Sequence, residues 1–187
     1  MYQFLNTIPK EVRFFLKRAF IAFIIWKLLY HLILNKIGFP NNQLTAFTAW
    51  GTTNLLSLFY PHSLFSYQNG VSVKDVVGLG SLLFMDNRLI LRIFPACNAL
   101  ELFILYIGFL FCFPSKYYRR LVFSVVGIVT IYIINIFRNA GIAFLIIEHK
   151  SWVDFAHHYV FKIIVYGFIF FMWVRYTKDF TITHSRS

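Results

Sequence analysis

Residues 121–147 read LVFSVVGIVTIYIINIFRNAGIAFLII, with Arg138 the only charged side chain among them. A helix needs about 20 consecutive apolar residues to cross a hydrocarbon core of roughly 30 Å. This stretch predicts a membrane-spanning helix over 121–137 that continues as an extension to 147. Similar runs lie on both sides of it. Residues 17–37 form one, interrupted by Arg18, Lys27 and His31. Residues 97–113 form a shorter one that stops before Pro114, and residues 159–176 form the last.

Composition agrees with the pattern. The 187 residues are 59% hydrophobic and 13% charged, and mean hydropathy is +0.66. A soluble domain is nearer half apolar and a quarter charged, and a chain of this length makes one core. The expected fold class is therefore an all-α integral membrane protein in a single domain, residues 1–187, with about four transmembrane helices. No small-residue cleavage site follows the first run, so it reads as a retained helix and not a removed signal peptide.

The net charge is +11, from 18 basic and 7 acidic residues. The basic residues cluster at the ends of the apolar runs instead of forming a patch among aromatics, which argues against nucleic acid and for membrane lipids as their partner. Lys10, Arg13, Lys17 and Arg18 place the N-terminus in the cytoplasm. Lys116, Arg119 and Arg120 place the loop between the second and third spans there too. An even number of crossings must separate those clusters. Residues 44–60 are interrupted by Thr45, Thr48, Thr52, Thr53, Asn54 and Ser57, and a crossing there would need a partner. The stretch 76–94 offers none, because it contains Asp86, Arg88 and Arg92. Residues 44–60 are thus expected as an interfacial or re-entrant helix on the outer side. Arg175, Lys178 and Arg186 return the C-terminus to the cytoplasm.

Residues 61–94 hold the strand signals. Asn69-Gly70 lies between residues 64–67 and 71–73, and Asp86-Asn87 between 82–85 and 89–91. Both dipeptides suit two-residue hairpin turns. Together they predict a small extracytoplasmic β-hairpin lid.

A few polar residues intrude on this apolar chain. Cys97 and Cys112 are separated by roughly 22 Å of helix at 1.5 Å per residue, too far for a disulfide. Cys112 sits between Phe111 and Phe113 and reads as packing. Cys97 follows Pro95, where an extended segment gives way to a helix, and a thiol at a helix N-terminus is favoured as thiolate. Asn135 and Arg138 are three apart and share a helix face near the end of the third span. Asp154, His157 and His158 precede the fourth. The topology puts Cys97, Arg138 and the histidine pair on one side at similar depth. A thiol, an imidazole and a guanidinium are the set that acyl transfer needs. No metal or cofactor is required.

These residues resemble the exosortase/archaeosortase family of membrane transpeptidases, in its short Bacteroidetes-type form. The resemblance runs from the hairpin before Cys97 through Gly167. It rests on a Cys at the outer start of a helix, on Asn-x-x-Arg at 135–138, and on a His opening the last helix. Cys97, Arg138 and His158 would then be catalytic, the last because His158-Tyr159-Val160-Phe161 fits the aromatic-rich segment that follows the family's histidine. His157, Asn135, Asn98 and Glu101 stand as alternative or supporting residues. Many members have Ser-Gly after the cysteine and an Arg four residues on, where this chain has Asn98-Ala99 and Glu101.

The resemblance implies a secreted protein substrate with a C-terminal sorting tail made of a short motif, a hydrophobic helix and a basic end. Cleavage would pass through a Cys97 thioester to an amine acceptor, lipid or glycan, or to water. The site would lie on the extracytoplasmic side of a bacterial cytoplasmic membrane. Two other readings compete. A metal or proton conduit would use His31, His149, His157 and His158, but no His-x-x-x-His spacing or paired carboxylates support it. A non-catalytic assembly subunit for envelope polymer or protein export would use the polar residues as helix–helix contacts.

Overall fold

The computed structural model describes residues 10–30, 32, 38–72, 79–113 and 115–184. Its elements are α1 (Lys10–Leu29), α2 (Asn41–Phe59), β1 (Phe65–Ser72), β2 (Leu79–Met85), β3 (Arg88–Ile93), a 3-10 turn at Pro95–Cys97, α3 (Leu100–Cys112), α4 (Tyr117–Glu148) and α5 (Phe161–His184). Between α4 and α5 the chain makes a 3-10 turn at Lys150–Trp152, one α-helical turn at Val153–Phe155 and a π turn at Ala156–Val160.

The 32 residues of α4 make a rod of about 48 Å at 1.5 Å per residue, longer than a bilayer core is thick. α2, α3, α5 and β3 pack along it, while α1 packs on α3. α3 and α5 run antiparallel to α4, α3 against its first half and α5 along both halves. Gly127 makes the α3 contact close: a β-carbon there would stand 2.0 Å from the Tyr106 ring. Tyr106 is fully buried, and its hydroxyl donates to the Phe123 carbonyl at 2.9 Å. Without a hydrophobic drive between helices in lipid, such close backbone approach is what holds them together. Tyr176 of α5 closes the same end, its backbone carbonyl accepting from Arg119 Nη2 at 2.8 Å. At the far end Gly141 lets Phe161 press on α4.

α2 runs parallel to the second half of α4. Tyr132 donates to the Phe47 carbonyl at 2.9 Å, Gly51 faces Ile136, and the Tyr60 hydroxyl donates to Glu148 Oε1 at 3.1 Å. The hydroxyls that interrupt its apolar pattern are mostly satisfied by their own helix. Thr45, Thr48, Thr53 and Ser57 each donate to the carbonyl four residues back at 2.8–3.0 Å.

The antiparallel sheet has the order β1-β2-β3 and rests on α2 and α4, with Leu83 buried among Leu56, Ala140 and Ala143. Asp86 and Asn87 both have positive φ, 49° and 64°, and close the β2–β3 hairpin as their sequence suggests. Asn69-Gly70 does something else. β1 runs straight through it, pairing Gln68 with Leu82 and Val71 with Gly80. Two residues thus oppose Ser81, which makes a bulge in which Gly70 takes φ 74° and Asn69 Oδ1 accepts from Ser81 Oγ at 2.7 Å. The left-handed preference of Asn-Gly is spent on the bulge instead of a reversal. The expected strand end at Val73 lies outside the described residues.

The protein is predominantly helical with this one small sheet. Among the described residues, α4 and the stretch Lys150–Lys178 are long and apolar enough to cross a membrane, while α3 is a shorter apolar helix. Large apolar side chains such as Val125, Val129, Phe137, Ile163, Phe170 and Phe171 face outward, as lipid-facing side chains do. The first expected span, 17–37, corresponds to α1 as far as Leu29; His31 and residues 33–37 lie outside the described residues.

Candidate active site

β3 ends at Ile93, and the chain passes through extended Phe94 into the 3-10 turn that carries Cys97. Pro95 starts that turn, where a missing N–H costs nothing. The Cys97 N–H donates to the Phe94 carbonyl at 2.8 Å. α3 begins only at Leu100, three residues later than the sequence suggested. Cys97 is therefore in a turn of its own and not in the first turn of the helix. The delay has a local cause: Ala99 is left-handed, with φ 66°, and a left-handed residue breaks one helix from the next.

Asn98 holds the turn in place. It is fully buried, and its Nδ2 lies within hydrogen-bond distance of Asn41 Oδ1 at 3.0 Å and of the Asn41 carbonyl and Thr45 Oγ1 at 3.2 Å. Its Oδ1 accepts from the Leu100 N–H at 3.0 Å. The Cys97 turn is thereby tied to α2 on one side and to α3 on the other. Each such buried bond contributes on the order of 1 kcal/mol net, and leaving its partner unpaired costs more.

α4 grips the turn from a third direction. Asn135 Nδ2 donates to the Cys97 carbonyl at 2.9 Å, with Asn139 Nδ2 at 3.5 Å from the same oxygen. Asn139 also donates to the Asn135 carbonyl at 2.8 Å. Both asparagines are buried. Arg138 lies between them in sequence and is half-buried at the same level of α4.

His157 and His158 occupy the π turn, a distortion that recurs at functional sites because it re-aims side chains. Their rings make a T-shaped pair with centroids 5.2 Å apart. His157 is half-buried. His158 is exposed, with Nδ1 3.0 Å from the Asp154 carbonyl, to which it donates. Glu101 is exposed in the first turn of α3. It lines a cleft with Tyr30, Asn41 and Pro95, the cleft that α1 borders.

The structure thus joins Cys97 to Asn135 by a hydrogen bond and places Arg138 one helix turn beyond Asn135, half-buried like His157. Sequence reasoning missed Asn139, Asn41 and Thr45. The first had a readable signal: two amides four residues apart inside an apolar run must find partners on one face. Among the described residues no group of three His, Cys, Asp or Glu is placed to hold a metal.

Residues 11–175 match the family model described as transmembrane exosortase (Exosortase_EpsH). Comparison with curated proteins and with solved structures gives no match.

Proposed function

Because the chain belongs to the transmembrane exosortase family, whose model covers 11–175 of its 187 residues, we propose that it is a membrane-embedded cysteine transpeptidase. It cleaves the C-terminal sorting tail of secreted proteins. The observation that carries this reading is that one stretch of α4 grips the Cys97 main chain through Asn135 and carries Arg138 one helix turn further on.

In this mechanism Cys97 Sγ attacks the carbonyl carbon of the scissile bond while the histidine takes the thiol proton. Arg138 steadies the negative oxygen that results. The C–N bond then breaks, and the histidine gives its proton to the departing tail amine, leaving a Cys97 thioester. An amine on a lipid or glycan acceptor, or water, attacks the thioester, and its proton returns the thiol. Its half-buried position favours His157 for the proton transfer, with the exposed His158 the alternative.

The membrane arrangement we propose has four crossings, by α1, α3, α4 and α5, in a bacterial cytoplasmic membrane. α2 and the sheet sit at the outer face with the site. Arg119 and Arg138 are 19 residues apart on α4, about 28 Å along a helix, which matches the roughly 30 Å core. The substrate tail fits this frame: its hydrophobic helix lies beside the bundle, and its basic end reaches the Lys116–Arg120 side.

The test compares cells carrying the wild-type protein with cells carrying Cys97→Ala. C-terminal peptides of secreted proteins, quantified by mass spectrometry, retain their tails in the Cys97→Ala cells and lose them in the wild type. Identical tail profiles in the two would sink the reading.

A further inference from the structure

The strand that leads into Cys97 has an unpaired edge. In the order β1-β2-β3, β3 has β2 on one side and, among the described residues, no strand on the other. No hydrogen bond beyond the sheet ladder reaches its main chain among the described residues. Its carbonyls can be assigned to sides. The Ile93 carbonyl lies 3.2 Å from the position of a β-carbon on Gly80, so it points at β2, where Ile93 pairs with Ser81. Antiparallel pairs alternate between bonded and non-bonded. Arg92, which faces Leu82, therefore turns its N–H and C=O to the open side. Its side chain is exposed, as are those of Arg88 and Leu89.

A register shift leaves Ile90 as an extra residue between Leu91 and Leu89, so the regular part of the open edge is the stretch around Arg92, whose N–H and C=O are complementary to another extended polypeptide main chain. The edge also has a direction. From Arg92 the chain covers only five residues to Cys97, at most about 17 Å, and Pro95 ends the edge by removing a donor. A peptide laid on β3 is carried toward the thiol.

We infer that the cleaved polypeptide binds as a fourth strand on the open edge of β3, paired to Arg92, which sets its scissile bond at Cys97. This rests on the transpeptidase reading and specifies how that site takes its substrate. Main-chain pairing supplies register, and the side chains that alternate away from the edge are left to supply selectivity.

The experiment uses the full-length protein in cells and follows those C-terminal tails that differ between wild type and Cys97→Ala. Arg92→Pro removes the outward N–H while sparing the bonds to β2; Arg92→Ala removes the guanidinium and keeps the N–H. Processing should fall at least tenfold in Arg92→Pro and by less than threefold in Arg92→Ala, at matched membrane levels of protein. Equal losses in the two, or wild-type processing in Arg92→Pro, overturn strand addition and leave the transpeptidase reading standing. An absence of any Cys97-dependent tail overturns both. Should Arg92→Pro not accumulate, hydrogen exchange decides. In purified Cys97→Ser protein, a synthetic copy of one such tail should protect the outward Arg92 amide at least tenfold, and no protection there overturns the proposal.

Discussion

Asn135 on α4 donates from Nδ2 to the backbone carbonyl of Cys97 at 2.9 Å, a contact across 38 positions of sequence that fixes where the thiol turn sits. The bond reaches the main chain, so it controls position and not reactivity. Replacing Asn135 by Ala leaves the carbonyl only the longer 3.5 Å approach of Asn139 and costs about 1–3 kcal/mol. For cleavage of a tail peptide by purified protein, kcat should fall at least tenfold in Asn135→Ala, with KM changed less than threefold. Asn135→Asp, which keeps the shape and loses the donor, should behave the same way. Full activity in Asn135→Asp would show that the bond does not position the turn.

Ala99 stands with φ 66° in a region that costs a residue with a β-carbon roughly 1–2 kcal/mol. Glycine avoids that cost and returns part of the gain through a freer unfolded chain. Ala99→Gly should therefore stabilise the protein by about 0.5–1 kcal/mol, a rise of roughly 1–4 °C in Tm. Ala99→Val should lower it. Both are read by thermal unfolding in detergent, and a lower Tm for Ala99→Gly would contradict the left-handed geometry.

The two histidines divide by surroundings. His157 is half-buried; His158 is exposed and donates to a main-chain carbonyl. His157→Ala should reduce tail processing about 100-fold or more, the usual worth of a general acid–base group, and His158→Ala only severalfold. The reverse order of losses, measured by the same tail peptides, would transfer the proton-carrying role to His158.

Tyr60 and Glu148 join the ends of α2 and α4. Burial first, and then the hydrogen bond and charge of Glu148, hold the Tyr60 phenol above its ordinary value of 10.0. A proton held more tightly in the folded state stabilises that state below the unfolded value, and the benefit is lost as pH rises through the folded one. The protein should lose thermal stability above about pH 10, and Tyr60→Phe should make that loss shallower. An unchanged pH profile in Tyr60→Phe would remove Tyr60 as its source.

Much of this was legible because apolar length is a local property. The run at 121–147 announces α4, and Asp86-Asn87 announces its turn. Order and topology also singled out Cys97 and Asn135, which the structure brings into hydrogen-bond contact. What escaped depends on distant partners. Asn98 is an ordinary polar residue until α2 brings Asn41 and Thr45 to it. Asn69-Gly70 suits a turn or a bulge equally, and only the pairing of β1 on both sides of it with β2 decides. Ala99 gave no sign of a left-handed backbone, although many family members place glycine there.

The grip on Cys97 has one more consequence. Asn135 and Asn139 hold a carbonyl, a group that every amino acid possesses, so the hold on this turn is indifferent to which side chain stands at position 97. Shape and chemistry are inherited separately here. Under the proposed function, a copy that has lost its sulfur should keep its stance, still receive the substrate, and act as a decoy that competes with intact copies.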